Sequence, residues 1–271
     1  MIVRAPATSA NLGPGFDCAA VALELWNELE LTEGEGVLVE GVGAGELAED
    51  ATNLAVRAYG LLADPAGKRF RFTNRIPLER GLGSSAAAIA LGLVAARPEC
   101  DPEELLAAGL TLENHPDNLG AALLGGVTLA WEGHVAKIAD SLPLHAVAVI
   151  PSLRTNTASS RGTLPESVSH ADAAITAGRA ALLGAGAAAG NADWFAAALH
   201  DTLHEPYRPS PVLDLVRTYP PAGARGATLS GSGPTVLVWT ETPDPCVEEL
   251  RGRFTDHEVQ ALAVSARGAL R

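Results

Sequence analysis

The 271-residue chain carries 19 lysines and arginines against 32 aspartates and glutamates, which gives a formal net charge of −13. Such an acidic chain argues against a nucleic-acid-binding surface. No apolar run approaches the roughly 18 residues of a membrane helix, and the N-terminus lacks the pattern of a signal peptide. Three cysteines at irregular spacings, Cys18, Cys100 and Cys246, indicate neither a metal site nor a disulfide framework. We therefore expect a cytoplasmic protein without a membrane or nucleic-acid partner.

The predicted elements mix strands and helices along the whole chain. Alternating apolar residues predict strands, and alanine-rich or helically spaced apolar stretches predict helices. This order lacks the regular strand–helix alternation of a doubly wound fold. In the first half of the chain we expect strands within the first 40 residues, a helix over 51–63, a strand over 70–77, helices over 84–96 and 101–113, and a strand over 125–133. In the second half we expect a strand over 145–151, helical structure over 171–203 with a break near 190, a helix over 213–220, a strand over 235–239, a helix over 245–254 and a strand over 259–266.

The strongest local pattern is the glycine-rich stretch IPLERGLGSSAAAIA, which spans residues 76–90. It predicts a strand that ends at Pro77, a loop freed by Gly81 and Gly83, and a helix that begins at Ser84. The amide groups and dipole at such a helix N-terminus attract an anion, so the geometry suits a di- or triphosphate. The chain lacks a P-loop pattern. An ordinary serine-capped turn is the alternative interpretation.

Three further polar loops, each flanked by glycine, interrupt apolar elements. They are SANLGPGFD at 9–17, NHPDNLG at 114–120 and SGSG at 230–233. Each pattern is weak by itself, because an ordinary turn or helix cap uses the same residues. Together with the 76–90 stretch, they predict one shared ligand site.

A histidine pair also resembles a metal motif at first sight. His200 and His204 are spaced i, i+4 within a predicted helix. The segment HDTLHE lacks the H-E-x-x-H order of a zinc site. We therefore expect the two histidines to lie on a partly exposed helix face.

The four loops resemble those of the GHMP small-molecule kinases. PLERGLGSSAA is similar to the phosphate-binding motif of that family, LSGSGPT is similar to its C-terminal motif, and APATSANLGPGFD resembles the first motif of the homoserine kinase branch. NHPDNLGAALLGG, SSRGTLP and LHEPYR also resemble segments of that branch, so the likeness runs from Met1 to about Trp239. It implies an α+β GHMP kinase fold, with an N-terminal ATP-binding domain like the second domain of ribosomal protein S5 at residues 1–140. A ferredoxin-like C-terminal domain would occupy residues 141–271.

The resemblance implies a transferase that uses ATP to phosphorylate the hydroxyl of L-homoserine, giving O-phospho-L-homoserine for threonine biosynthesis. ATP and L-homoserine would be its small-molecule partners, Mg²⁺ is an expected cofactor, and a homodimer is common in the family. Three alternatives remain open at this point: a kinase of another small alcohol, a catalytically silent sensor with the same fold, and loops that are only structural turns.

The resemblance also assigns site residues. It places the substrate amino acid against Asn11, Asp17 and His115. Asp17 suits an ammonium group, and the guanidinium groups of Arg161 and Arg208 suit a carboxylate. Asp17 is also a candidate catalytic residue, although pairing with an ammonium group would engage it. The nucleotide would lie against Asn53, Pro77, Arg80, Gly81, Leu82, Gly83, Ser84, Ser85, Ala86 and Ala87.

The metal ligands follow less directly from the resemblance. Some family members carry an acidic ligand about two helical turns before the histidine, a position that Ala107 occupies here. Glu113 is a carboxylate nearer to that histidine. We therefore predict Ser84 and Glu113 as catalytic residues that also hold the metal.

Overall fold

The structure is a computed structural model that describes residues 1–154 and 160–270. Its strands form two separate sheets. The first sheet contains β1 (Ile2–Asn11), β2 (Gly15–Glu33), β3 (Gly36–Gly41), β4 (Lys68–Asn74), β5 (Val127–Trp131) and β6 (His134–Ala139). The helices that accompany it are α1 (Leu54–Gly60), α2 (Ser84–Ala96), α3 (Pro102–Leu110) and α4 (Pro116–Leu124).

The long strand β2 organises the first sheet. It pairs with β1 in an antiparallel register from Gly15 to Glu30. Residues 9–17, here called the first turn, comprise the end of β1, the start of β2 and the three residues between them. The other edge of β2 pairs with β5 near the start of the strand and with β4 near the end. Strand β3 adds to β4 in parallel, and β6 adds to β5. Helices α2 and α4 pack on β1 and β2.

The second sheet contains β7 (His145–Ile150), β8 (Ala224–Leu229), β9 (Val236–Thr240) and β10 (Glu258–Leu262). Its antiparallel strands are ordered β10-β7-β9-β8. Helical segments lie between β7 and β8 along the chain, and a helix lies between β9 and β10. This β-α-β-β-α-β order is the ferredoxin-like arrangement that the resemblance predicted. The helices are α5 (His170–Ala189), α6 (Ala192–Ala198), α7 (Pro211–Thr218) and α8 (Pro243–Arg253).

The segment after β10 returns to the first sheet. The amide of Ser265 donates to the carbonyl of Ala22 in β2, and the Ser265 carbonyl accepts from the amide of Gly126. The amide of Ala269 donates to the carbonyl of Ala122 in α4. Backbone hydrogen bonds therefore tie the two halves together. Within the described residues, no helix has both the length and the apolarity needed to cross a membrane.

Most predicted elements are present, but several boundaries were wrong. Strand β4 ends at Asn74 rather than at Pro77, and α6 ends at Ala198, before the histidine pair. Helix α4 and strands β6 and β8 were not predicted. The glycine-rich composition of 114–126 suggested a loop, yet Gly120 lies inside α4, where a Cβ would approach Val135 Cγ2 to 2.5 Å. The requirement for glycine is therefore one of packing rather than of turn geometry.

Candidate active site

The N-terminus of α2 is open to an anion. Its N-cap is Gly83, and no side chain among the described residues caps the N-terminal helical turn of α2. The amide of Ala87 donates to the Gly83 carbonyl at 2.9 Å. The preceding amides, those of Ser84, Ser85 and Ala86, therefore have no acceptor within the helix. No acidic residue of the helix lies in this turn, so the amides and the helix dipole present a positive end.

Two glycines allow the phosphate loop, residues 80–86, to approach its neighbours. Gly81 has φ +75° and Gly83 has φ +67°, both in the left-handed region. A Cβ on Gly83 would lie 1.9 Å from Thr8 Oγ1, and one on Gly81 would lie 2.2 Å from the Ser230 carbonyl oxygen. Glycine is therefore needed here for conformation and for space.

The 230–233 turn joins the phosphate loop to the first turn. The Ser230 hydroxyl lies 2.6 Å from the carbonyl oxygen of Gly81 and 2.9 Å from Ser9 Oγ. The Asn11 side chain donates from Nδ2 to the Gly231 carbonyl at 2.9 Å. Residues more than 200 positions apart in the sequence thus form one rim, as the loop patterns predicted.

Thr8 connects the same rim to α4. Its amide donates to the Leu82 carbonyl at 3.1 Å, and its hydroxyl donates to Asn118 Oδ1 at 2.7 Å. The neighbouring Asp117 is buried, and its pKa is raised to about 6, mainly by burial and further by the nearby Asp17 carboxylate. All four predicted loops therefore meet at the N-terminus of α2.

Opposite charges meet at the exposed side of the first turn. Arg161 Nη2 donates to both carboxylate oxygens of Asp17, at 2.7 and 2.8 Å. Both side chains are about half exposed. The ion pair is therefore accessible to a small solute.

Arg208 lies deeper, beneath the aromatic ring of Phe16. Its guanidinium carbon is 5.6 Å from the ring centroid, and that of Arg161 is 5.8 Å from the same ring. Arg208 Nη1 donates to His204 Nδ1 at 2.9 Å and to the Gly231 carbonyl at 3.3 Å. Burial lowers the pKa of Arg208. Phe16 thus lies near two cations, both of which the sequence predicted as carboxylate ligands.

His115 is the N-cap of α4 and pairs with Glu113. Its Nδ1 lies 3.6 Å from Glu113 Oε2, and this carboxylate raises the pKa of His115. Within the described part of the chain, no three His, Cys, Asp or Glu side chains form a cluster that could hold a metal. Mg²⁺ needs no such cage, because it is usually held by one or two carboxylates together with substrate phosphates.

Comparison with known proteins identifies the family. Residues 47–126 match the family model described as the GHMP kinases N terminal domain. A homoserine kinase from Gloeobacter violaceus is 41% identical over 93% of this chain and 90% of its own length. A homoserine kinase from Nostoc punctiforme is 39% identical over 87% of this chain and 84% of its own length. The chain belongs to the homoserine kinase family.

Solved structures share the fold of this homoserine kinase family member. A homoserine kinase from Cytophaga hutchinsonii aligns with a TM-score of 0.82 and 24% identity, over 98% of this chain and 96% of that chain. A mevalonate kinase from L. major aligns with a TM-score of 0.73 and 17% identity, over 98% of this chain and 96% of that chain. The predicted α+β GHMP kinase fold is therefore confirmed.

Two asparagines that the homoserine kinase resemblance assigned to ligands have bonding partners in the protein. Asn11 Oδ1 accepts from the amide of Asp17 and, as noted, its Nδ2 donates to the 230–233 turn. Asn53 is the N-cap of α1, where its Oδ1 accepts from the amide of Ala55 and its Nδ2 donates to the Ala48 carbonyl. The structure thus assigns both asparagines a role in shaping loops. Their direct contact with ligands stays a prediction.

Several nucleotide ligands predicted from the GHMP phosphate-binding motif also have structural roles. The guanidinium of Arg80 donates to the carbonyls of Pro151, Ser152 and Leu78, so it anchors the chain that follows β7. Leu82 and Ala87 are buried, and the Ala87 amide is already bonded within α2. Pro77 lies in the loop after β4.

The contacts of Thr8, Phe16 and His204 within this group of loops were not predicted from the sequence. The expectation of a partly exposed helix face for the histidine pair was wrong for His204, which is fully buried outside any α-helix, whereas His200 is exposed. The useful signal was its position four residues before Arg208 within LHEPYR. Thr8 and Phe16 lie within the APATSANLGPGFD motif, but the motif does not indicate their contacts with distant loops.

Proposed function

We propose that this protein transfers the γ-phosphoryl group of ATP to the hydroxyl of L-homoserine. The observation that carries the proposal is the combination of an uncapped α2 N-terminus with Asp17, Arg161 and Arg208 beside it. The first feature suits the phosphates of a nucleotide, and the second suits an amino-acid zwitterion. The names and the high identity of the relatives support this assignment.

The amino-acid zwitterion would bind between Asp17 and Arg161 and break their ion pair. Its ammonium group would pair with Asp17, and its carboxylate would accept hydrogen bonds from Arg161 and Arg208. Exposed ion pairs contribute only about 0–1 kcal/mol, so separating one costs little. The hydroxyl of the bound amino acid would then extend toward the phosphate loop, along the side lined by Thr8 and Asn118.

ATP would place its phosphates against the free amides of Ser84, Ser85 and Ala86. We propose Mg²⁺ as its counter-ion, with the Ser84 hydroxyl and the Glu113 carboxylate as protein ligands. Their oxygen donors fit the preference of this ion. When bound, Mg²⁺ would neutralise phosphate charge as the phosphoryl group transfers.

The site does not need a strong general base. Asp17 is bonded to Arg161, so it is better placed to bind the ammonium group than to take a proton. Phosphoryl transfer through a loose transition state depends mainly on positioning and on neutralisation of charge. We therefore propose that Asp17 acts by orienting the substrate.

We further propose a domain division at residues 140/141, a cytoplasmic location and a homodimer. The strands of the first sheet end at Ala139 and those of the second sheet begin at His145, which supports the division. Residues 155–159 and 271 of the proposed second domain lie outside the described residues. The unpaired thiols of Cys18, Cys100 and Cys246 support a reducing compartment.

The test is ADP release by the purified protein with MgATP and one candidate acceptor at a time. The acceptors are L-homoserine, L-serine, L-threonine, mevalonate and galactose, with a no-acceptor control. Turnover mainly with L-homoserine supports the proposal, and turnover mainly with another alcohol contradicts the substrate assignment. Binding of MgATP without turnover on any acceptor would favour a ligand sensor.

A further inference from the structure

His204 is buried between the first turn and Arg208. Its side chain is fully inaccessible to solvent, with Nε2 lying 3.0 Å from the carbonyl oxygen of Gly13. On the other side of the ring, Nδ1 lies 2.9 Å from Arg208 Nη1. The imidazole thus bridges the loop that carries Asp17 and the arginine below it.

These two contacts determine the tautomer. A guanidinium can only donate, so His204 Nδ1 must accept from Arg208. The Gly13 carbonyl can only accept, so Nε2 must carry the proton. A neutral imidazole protonated at Nε2 satisfies both contacts, whereas a doubly protonated ring would direct an N–H at the Arg208 guanidinium.

Charged groups around the ring agree with this state. Burial lowers the pKa of His204 to about 4, the Asp201 carboxylate opposes this shift, and Arg208 adds to it. Asp201 Oδ2 is 3.6 Å from His204 Nε2. This oxygen already accepts hydrogen bonds from the backbone amides of His204 and Glu205. The more distant Asp17 also favours the charged form slightly.

The same ring supports Phe16. The His204 and Phe16 rings are stacked, with centroids 5.2 Å apart and planes inclined at 22°. Arg208 is itself almost completely buried, and its Nε has no hydrogen-bond partner among the described residues. The hydrogen bonds that hold its guanidinium are those from Nη1 to His204 and to the Gly231 carbonyl, beside its contact with the Phe16 ring.

We propose that His204 is a positioning residue that sets the affinity for the amino-acid substrate by fixing the Arg208 guanidinium through Nδ1. This inference rests on the proposed function, because it assigns Arg208 to the substrate carboxylate. It predicts that an acceptor at the Nδ1 position matters more for substrate affinity than a donor at the Nε2 position.

Two variants separate these contacts. In His204→Asn, the amide oxygen can occupy the place of Nδ1 and accept from Arg208, while the donor to Gly13 is lost. In His204→Gln, the amide nitrogen can occupy the place of Nε2 and donate to Gly13, while the acceptor for Arg208 is lost. His200→Asn is the matched control, because His200 is exposed.

The measurement is steady-state kinetics on the purified full chain, with L-homoserine and ATP varied separately. We expect KM for L-homoserine to rise about tenfold or more in His204→Gln and clearly less in His204→Asn, as for loss of a hydrogen bond to a charged group. KM for ATP should stay close to that of the wild-type protein in all three variants. Equal rises in KM for L-homoserine in the two His204 variants, or no rise in His204→Gln, would overturn the inference.

A second measurement needs no variant. Nitrogen NMR of wild-type protein labelled at histidine should show one imidazole that stays neutral at about pH 5, protonated at Nε2, whose Nδ1 resonance shifts on addition of L-homoserine. A ring protonated at Nδ1, or an Nδ1 resonance that does not shift when L-homoserine is added, contradicts the inference. If wild-type protein shows no turnover with L-homoserine, the proposed function has failed instead.

Discussion

Asp17 and Arg161 lie 144 residues apart in the chain, yet they form an ion pair at the exposed side of the first turn. Their charges match the two ends of an amino acid, so a bound zwitterion can replace each side chain as the partner of the other. Arg154 offers a comparison on the same stretch of chain, because it pairs with Glu46 and Glu79 rather than with Asp17.

Loss of either charge should weaken binding of the amino acid selectively. We expect Asp17→Asn and Arg161→Gln each to raise KM for L-homoserine by about 10- to 100-fold, the range for loss of one hydrogen bond between charged groups. KM for ATP should change little, because the proposed phosphate site is at the N-terminus of α2. Steady-state kinetics provide the measurement, with Arg154→Gln as the matched control. Equal effects of Arg154→Gln and Arg161→Gln would contradict this view of the ion pair.

Single-residue roles were only partly predictable from the sequence. The resemblance placed Asp17, Arg161 and Arg208 in the site, and the structure brings these three close together around Phe16. The resemblance could not indicate that both polar atoms of the Asn11 side chain, Oδ1 and Nδ2, would form hydrogen bonds within the protein. The Nδ2 bond depends on the 230–233 turn, whose position relative to the first turn no local pattern encodes.

At the scale of elements, the open N-terminus of α2 is the main feature. A serine, threonine or aspartate at the N-cap would satisfy one of its amides, but Gly83 leaves them all available. The cost of an uncapped terminus is offset by the many buried alanines and leucines of the helix. An anion bound there would act as the missing cap.

Gly83→Ala should abolish the nucleotide site. The added Cβ would collide with Thr8 Oγ1, and alanine in the left-handed region costs about 1 kcal/mol or more by itself. Thermal unfolding with and without MgATP provides the measurement, because a ligand that binds the folded state raises the unfolding temperature. We expect the wild-type protein to show this rise and Gly83→Ala to lose it.

Gly178→Ala is the control for this experiment. Gly178 lies in α5, where a Cβ would meet no atom within 4 Å. Alanine should therefore stabilise that helix by up to about 1 kcal/mol and leave the response to MgATP intact. A full MgATP response in Gly83→Ala would disprove the role assigned to this helix terminus.

Helices and strands were predicted correctly where the sequence has a single clear pattern of apolar residues. Helix α2 and strand β9 have continuous apolar sequences between clear breaks, and both were predicted within about two residues. Strand β6 was missed because HVAKIA is short and lies at a sheet edge, and β8 was missed because ARGATL contains a glycine. Pairing with neighbouring strands, rather than local propensity, determines both.

At the scale of the whole molecule, His204 makes stability depend on pH. Its pKa falls from 6.5 to about 4 on folding, so between these values the unfolded chain binds more protons. The free energy of unfolding therefore rises with pH across this window. The stabilising contribution of His204 is fully present above pH 6.5 and is lost as the pH falls toward 4. This loss lowers the free energy of unfolding by at most about 3 kcal/mol. Asp117, whose pKa rises to about 6, acts in the opposite sense.

Urea unfolding at about pH 4.5 and pH 7 can test these two groups. We expect the wild-type protein to lose more stability on acidification than His204→Asn, which has no ionisable side chain at that position. Asp117→Asn should lose more than the wild-type protein, because its opposing contribution is removed. Identical losses in all three proteins would show that neither group controls the pH dependence.

The overall architecture was predictable because motifs for all the main loops occur in one chain. The resemblance implied the two sheet types, and the structure has both. The return of residues 263–270 to β2 and α4 was not predicted. These contacts are made by backbone groups, and backbone pairing at this distance leaves no pattern in the side chains.

The first turn is held by residues that the ribosome makes much later. Asn11 bonds a carbonyl 220 positions away, and the Gly13 carbonyl bonds a ring 191 positions away. At ordinary elongation rates of about 5–20 residues per second, the turn would wait on the order of ten seconds or more for its partners. The last strand of the first sheet ends at Ala139, so this sheet can form before Arg161 and Arg208 have been synthesised. Translation order thus separates folding of the scaffold from the first moment at which the enzyme can capture an amino acid.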